Sequence, residues 1–169
     1  MIQSYDFDHK RLIDSQKGVL VESVHFPIEK NIISELKHLN RILNVLALEG
    51  KKAHITDRVF LDQKNRVIEG AFHCIFFRTK SKFILPINQE SGLVGVSREL
   101  LVNYLTKNNI AYDFKSIHYY KVNRYQEMYL MNSVYGIIPV KKYDEFTFDT
   151  NLEIVKELNR NLNLEYAKK

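Results

Sequence analysis

The stretch from His54 to Ile87, HITDRVFLDQKNRVIEGAFHCIFFRTKSKFILPI, decides the fold class. HITDRVFLD and RVIEGAFHCIFFR are rich in β-branched and aromatic residues and read as strands joined by the polar turn QKN; SKFILPI reads as a third strand reached through TKS. Three consecutive strands with short polar turns predict an antiparallel meander. Upstream, GVLVESVHF from Gly18 alternates apolar and polar as a strand does, and Pro27 would end it or force it to an edge. Next comes a helix from Leu39, with Ile42, Leu43, Leu46 and Ala47 recurring at three and four and Gly50 as its stop.

Downstream, SGLVGVSRELLVNYLTKNN predicts a glycine-containing entry capped by Ser97, then a helix with Leu100, Leu101, Tyr104 and Leu105 inward. IAYDFKSIHYY reads as a strand, VNRYQE as a polar connection, and EMYLMNS as a buried strand running into GIIPVKKYD. Thr150 and Glu153 have capping-box spacing before a last helix whose apolar face is Leu152, Val155, Leu158 and Leu162. The whole predicts one α+β domain over residues 1–169, with a mixed or antiparallel sheet that curls toward a partial barrel and flanking helices.

Composition narrows the function. The chain has 169 residues, 45% hydrophobic and 27% charged, which suits one globular domain with a proper core. No run of about 18 uncharged apolar residues occurs, and the N-terminus lacks a signal-peptide core, so no membrane span is expected and a cytoplasmic location is. The single cysteine, Cys74, excludes an internal disulfide and lies in the apolar run FHCIFF, as a buried structural thiol would. A net charge of +5 permits an anionic partner, but Lys and Arg are scattered, which favours a small phosphorylated or carboxylated ligand over nucleic acid. The six histidines stand isolated from other ligand types, so no metal site is expected.

Four places carry chemistry. In ELKHLNR, Lys37 is either a solvated surface lysine or an amine in a pocket, where desolvation and neighbouring cations free it to attack a carbonyl. Gly92 to Arg98, opening a helix, is an ordinary capped entry or an anion cradle of unpaired backbone N–H groups. Glu69, beside Gly70, either faces solvent or is kept for a partner. Asn132 and Ser133, closing an apolar strand, bind an anion or cap their own turn. Together, an imine-forming lysine, an acid for a ring nitrogen and a phosphate cradle are what pyridoxal 5'-phosphate requires of a protein.

The order of these motifs supports that reading. L-K-H-L-N-R from Leu36, V-I-E-G from Val67, G-L-V-G-V-S-R from Gly92 and M-N-S-V-Y-G-I-I-P-V from Met131 resemble the fold type IV pyridoxal-phosphate enzymes, the class IV aminotransferase group. The KHLNR and NSxxGIxPV forms are most similar to its 4-amino-4-deoxychorismate lyase branch. The resemblance implies the large domain of the D-amino acid aminotransferase-like fold. It makes Lys37 the residue that holds the cofactor and shuttles protons, and Glu69 the partner of the pyridine nitrogen. The amides of Val96 and Ser97, after Gly95, would hold the phosphate, with Asn132 and Ser133 near phosphate and substrate and Asn40 and Arg41 in support.

The implied reaction converts 4-amino-4-deoxychorismate to 4-aminobenzoate and pyruvate, a step of folate biosynthesis. A class IV aminotransferase of branched-chain or D-amino acids is the alternative, and a truncated or degenerate non-catalytic domain that binds a ligand or a partner is the third reading. The implied partners are an amino acid-like small molecule, a second copy of the chain in a homodimer, and a chain supplying the family's small N-terminal domain, which the resemblance leaves unmatched here. His73-Cys74 stands where the family usually has Ser-Asn after its Glu-Gly pair.

Overall fold

The computed structural model describes residues 14–28, 41–87 and 95–164. Nine strands form one mixed sheet: β1 (Val19–Ser23), β2 (Ile55–Leu61), β3 (Val67–Gly70), β4 (Cys74–Arg78), β5 (Phe83–Pro86), β6 (Tyr112–Lys115), β7 (Glu127–Asn132), β8 (Gly136–Tyr143) and β9 (Phe146–Thr147). Three α-helices lie wholly within the described residues: α1 (Ile42–Leu48), α2 (Val96–Lys107) and α3 (Leu152–Asn161). A 3-10 helix covers Tyr119–Arg124. The strand order is β3-β2-β1-β8-β7-β4-β5-β6, with β9 folded back on β8. The sheet is a strongly curled half-barrel. A bridge between Arg66 and His118 draws the residue just before β3 toward the segment that follows β6.

The apolar residues sort onto two faces. Val19, Val21, Val59, Ile75, Phe77, Met128, Leu130, Ile138 and Val140 fill the inside of the curl. Phe76, Phe83, Leu85, Tyr129, Met131 and Ile137 face outward onto Leu101 and Leu105 of α2 and Val155, Leu158 and Leu162 of α3. Strand β7 therefore reads as an unbroken apolar run because alternate residues serve both cores. A third, smaller cluster gathers Val24, Ile28, Phe60, Ile68 and Ala71 around Ala47 of α1.

The curled α+β architecture agrees with the sequence reading, but several elements differ. The three-strand meander is two separate hairpins. β2 pairs antiparallel with β3, and β4 with β5, but RVIEGAFHCIFFR breaks after Gly70 and its second half leaves to pair with β7. A tight turn makes the break, Gly70 N–H donating to His73 C=O at 2.7 Å and Ala71 N–H to Arg58 C=O at 2.8 Å. β4 is then held in register from Cys74 opposite Met131 to Arg78 opposite Glu127, where the two side chains form an ion pair at 2.8 Å.

Helix ends and faces also depart from expectation. Gly95, not Ser97, is the N-cap of α2, and Ser97 lies buried in the first turn. Asn151, not Thr150, caps α3, its side chain accepting from Ile154 N–H at 3.2 Å. Leu100 and Leu152 are exposed, as are Ile42, Leu43, Val45 and Leu46 of α1, which buries only Ala47. VNRYQE belongs in part to the 3-10 helix. No helix of the described residues is long and apolar enough to cross a membrane.

Candidate active site

The end of β3, the start of β4, the end of β7 and the start of α2 meet at one end of the sheet. Glu69 is the penultimate residue of β3 and is half-buried. Five residues later Cys74 opens β4, opposite Met131, which places it next to Asn132 at the end of β7. Cys74 reaches α2 as well. The residue is half-buried, not fully buried as its apolar run suggested; its thiol lies beside Ser97, Arg98 and the Gly95 backbone, and burial above all pushes its pKa up, with the Glu69 charge adding to the effect. A Cβ at position 95 would come within 2.9 Å of Cys74 Sγ, so the helix entry sits against the thiol only because residue 95 is glycine.

Arg98 faces the same region. Desolvation pushes its guanidinium below the usual value, while Cys74 and Glu69 act the other way. Its Nη2 donates to Pro86 C=O at 2.7 Å, and the group lies over the Phe114 ring at 5.3 Å. The first amides of α2, a helix of 12 residues, thus start beside a thiol, an arginine and a half-buried carboxylate. N–H groups at a helix start have no intrahelical partner and suit a phosphate.

The turn between Glu69 and Cys74 is pinned from three sides. Asp57 of β2 is fully buried and accepts Phe72 N–H at 3.1 Å and His73 Nδ1 at 2.6 Å through one oxygen, and Arg58 N–H at 2.8 Å through the other. Asn44 of α1 donates to Ala71 C=O at 2.6 Å, with Arg41 donating there at 3.4 Å. Asn132 Nδ2 donates to Phe72 C=O at 3.3 Å, while its Oδ1 accepts Val134 and Tyr135 N–H.

Of the residues singled out from sequence, Glu69, Gly95 and Ser97 come together around Cys74, while Val96, between the last two, has an exposed side chain. Arg41 and Asn132 both hold the turn that follows Glu69, and Asn132 caps its own turn too. Ser133 is exposed next to it. Lys37 and Asn40, with Gly92 to Val94, lie outside the described residues. Asp57, Asn44 and Arg98 were not read as site residues. Asp57 shares a face of β2 with the buried Ile55 and Val59, a parity that marks a buried carboxylate without naming His73 as its partner. The described residues hold no group of three or more His, Cys, Asp or Glu that could bind a metal ion.

Comparison with known proteins now places the chain. Residues 7–143 match the model of the amino-transferase class IV family, and the chain belongs to that family. Its fold superposes on the 4-amino-4-deoxychorismate lyase of Pseudomonas aeruginosa with a TM-score of 0.81 and 26% identity, covering 91% of this chain and 57% of that one. An aminodeoxychorismate lyase of Vibrio harveyi is 30% identical over 105 residues, 62% of this chain and 39% of that protein. A "probable branched-chain-amino-acid aminotransferase" of Thermotoga maritima is 25% identical over 92 residues, 54% of this chain and 34% of that protein. The chain thus spans about half or less of the length of the proteins it resembles. Members of the family are pyridoxal-phosphate-dependent enzymes.

Proposed function

We propose that the chain is the cofactor-binding large domain of a pyridoxal-phosphate-dependent lyase that converts 4-amino-4-deoxychorismate to 4-aminobenzoate and pyruvate in folate biosynthesis. The observation that carries this reading is the meeting of the Glu69 carboxylate with the Gly95–Ser97 helix entry around Cys74. The donor set fits pyridoxal phosphate, which demands an acid and an anion cradle at fixed separation, and glycine at 95 lets the start of α2 lie against Cys74. When bound, that group supplies a ring able to take up the negative charge left on carbon as a proton departs.

The protein's own residues do the rest. Lys37 holds the cofactor through its amine and moves the proton at the carbon bearing the substrate nitrogen. Glu69 keeps the pyridine nitrogen protonated by accepting its N–H. Val96 and Ser97 amides, at the positive end of α2, hold the phosphate. Arg41 and Asn132 keep the turn after Glu69 in place, and Asn40 and Ser133 complete the surroundings. An amino acid-like substrate, a cytoplasmic location and a homodimer belong to the same proposal; the exposed apolar side chains of α1 support a second copy as partner.

The likeness to the Thermotoga protein favours one second reading, a class IV aminotransferase of branched-chain or D-amino acids, which shares the early steps. The test is the visible spectrum of the chain with pyridoxal phosphate, before and after borohydride, with peptide mapping of the reduced adduct. An adduct on Lys37 that is lost in Lys37→Ala supports the cofactor site; none at Lys37 sinks it. Pyruvate release from aminodeoxychorismate then separates the lyase from an enzyme that transfers the amino group to a 2-oxo acid.

A further inference from the structure

We infer that His73 is a positioning residue that, with Asp57, sets the spacing between the Glu69 carboxylate and the anion cradle at the start of α2. The inference rests on the cofactor site proposed above. Glu69 and Cys74 are joined by four residues, 70–73, and Cys74 in turn contacts Gly95 and Ser97. Whatever fixes the turn therefore fixes how far the acid stands from the phosphate-binding amides.

The turn is fixed at considerable cost. Asp57 is 0% exposed and His73 6%, and their bond runs from Nδ1 to Oδ2 at 2.6 Å. A carboxylate only accepts, so the proton of that bond sits on Nδ1. His73 Nε2 is buried with no hydrogen-bond partner. A turn that had only to reverse the chain would be closed by its backbone bonds, Gly70 N–H to His73 C=O and Ala71 N–H to Arg58 C=O, with any small or apolar side chain at 73. A buried carboxylate paired to an imidazole with an orphaned nitrogen is a poor way to stabilise a core, because the donors to Asp57 offset only part of the desolvation and the missing partner of Nε2 is not recovered.

What the pair adds is a fixed position. Asp57 Oδ2 receives Phe72 N–H and His73 Nδ1–H together, and it lies so close to Gly70 that no Cβ fits there. Asn44 and Asn132 tie the next two carbonyls, those of Ala71 and Phe72. The result is a turn that cannot slide along β2 when a ligand pulls on Glu69. His73 is buried, so it acts through Glu69 and does not itself touch a ligand.

The experiment compares the full chain with His73→Leu, His73→Asn and Glu69→Gln. Asparagine can still offer an N–H to Asp57 from near the Nδ1 position; leucine cannot. Amide exchange of the ligand-free proteins is read at Gly70 and Phe72, against Leu130 and Ile138 as core controls. The visible band of added pyridoxal phosphate is read in the same proteins. In His73→Leu we expect about tenfold or greater loss of protection at Gly70 and Phe72, the scale of one bond to a charged group, with the core amides unchanged. We also expect a band shifted as in Glu69→Gln, and both signals restored in His73→Asn. If His73→Leu keeps the parent's band while the parent carries an adduct on Lys37, the positioning role is wrong and the cofactor site stands. A parent chain with no adduct overturns the cofactor site and this inference with it.

Discussion

A methyl group added at position 70 has nowhere to go. It would meet Asp57 Oδ2 closer than any real Cβ contact and His73 C=O at 3.1 Å, and both of those atoms are held by hydrogen bonds of their own. Gly70→Ala is therefore expected to cost about 1–3 kcal/mol, the usual range for overpacking, measured as a lowered urea midpoint; an unchanged midpoint would show that the turn yields. Cys74, by contrast, should be quiet. Burial and the Glu69 charge raise its pKa, so less thiolate exists at neutral pH than on a free cysteine. Alkylation of the folded chain at pH 7 should lag that of the chain in urea and gain on it as pH rises; equal rates in both states would contradict the half-buried, protonated thiol. Sequence singled out Glu69, Gly95 and Ser97 as candidates because they stand in short motifs whose residue types have a chemical reason. It hid the Asp57–His73 pair because partners 16 residues apart leave no local pattern, even though Asp57 stands on the face of Ile55 and Val59.

At the scale of elements, periodicity located the helices and strands, but the competition at their ends was decided by geometry that spacing does not carry. Thr150 and Glu153 have the capping-box interval, yet Asn151 stands at the N-cap and takes Ile154 N–H. Asn151→Ala should then cost about 1 kcal/mol, while Thr150→Ala should change stability much less, both read from urea melts. The reverse order would return the cap to Thr150. α3 is fastened further along by Asn159, whose side chain accepts Ile137 N–H at 2.7 Å and donates to Ile137 C=O at 3.1 Å. The same bonds forbid a side chain at Gly136, where φ is +67° and a Cβ would come within 2.5 Å of Asn159 Oδ1. The split of RVIEGAFHCIFFR was equally invisible, since both halves are apolar and β-prone. Only the crowding of Gly70 by Asp57 and the long register of β4 with β7 separate them.

Over the whole molecule, strand content and curl were legible and strand order was not, because β1 pairs parallel with both β2 and β8 and nothing local encodes those partners. One consequence of that order is testable across the entire fold. Bringing β7, β8 and the segment after β6 together buries Tyr129 and Tyr143 completely. Tyr129 donates to Glu127 Oε2 at 2.6 Å, and Tyr143 shares a hydrogen bond with Ser23 Oγ at 2.9 Å. Burial first, and then the nearby carboxylates, push both phenols above the usual tyrosine value. A phenol whose pKa is raised on folding contributes stability that is whole below the unfolded value, about 10, and is lost as pH climbs from there toward the folded value. The urea midpoint should therefore not fall on account of these two phenols up to a pH of about 9 and should fall steeply above about 10. Tyr129→Phe and Tyr143→Phe should each flatten that alkaline limb while lowering the neutral midpoint through the lost hydrogen bond. The tyrosinate absorbance of these two among the ten tyrosines should rise only as far-ultraviolet circular dichroism collapses. Full tyrosinate absorbance with the dichroism intact would mean that water reaches both phenols and that the two cores do not close around β7 and β8 as described.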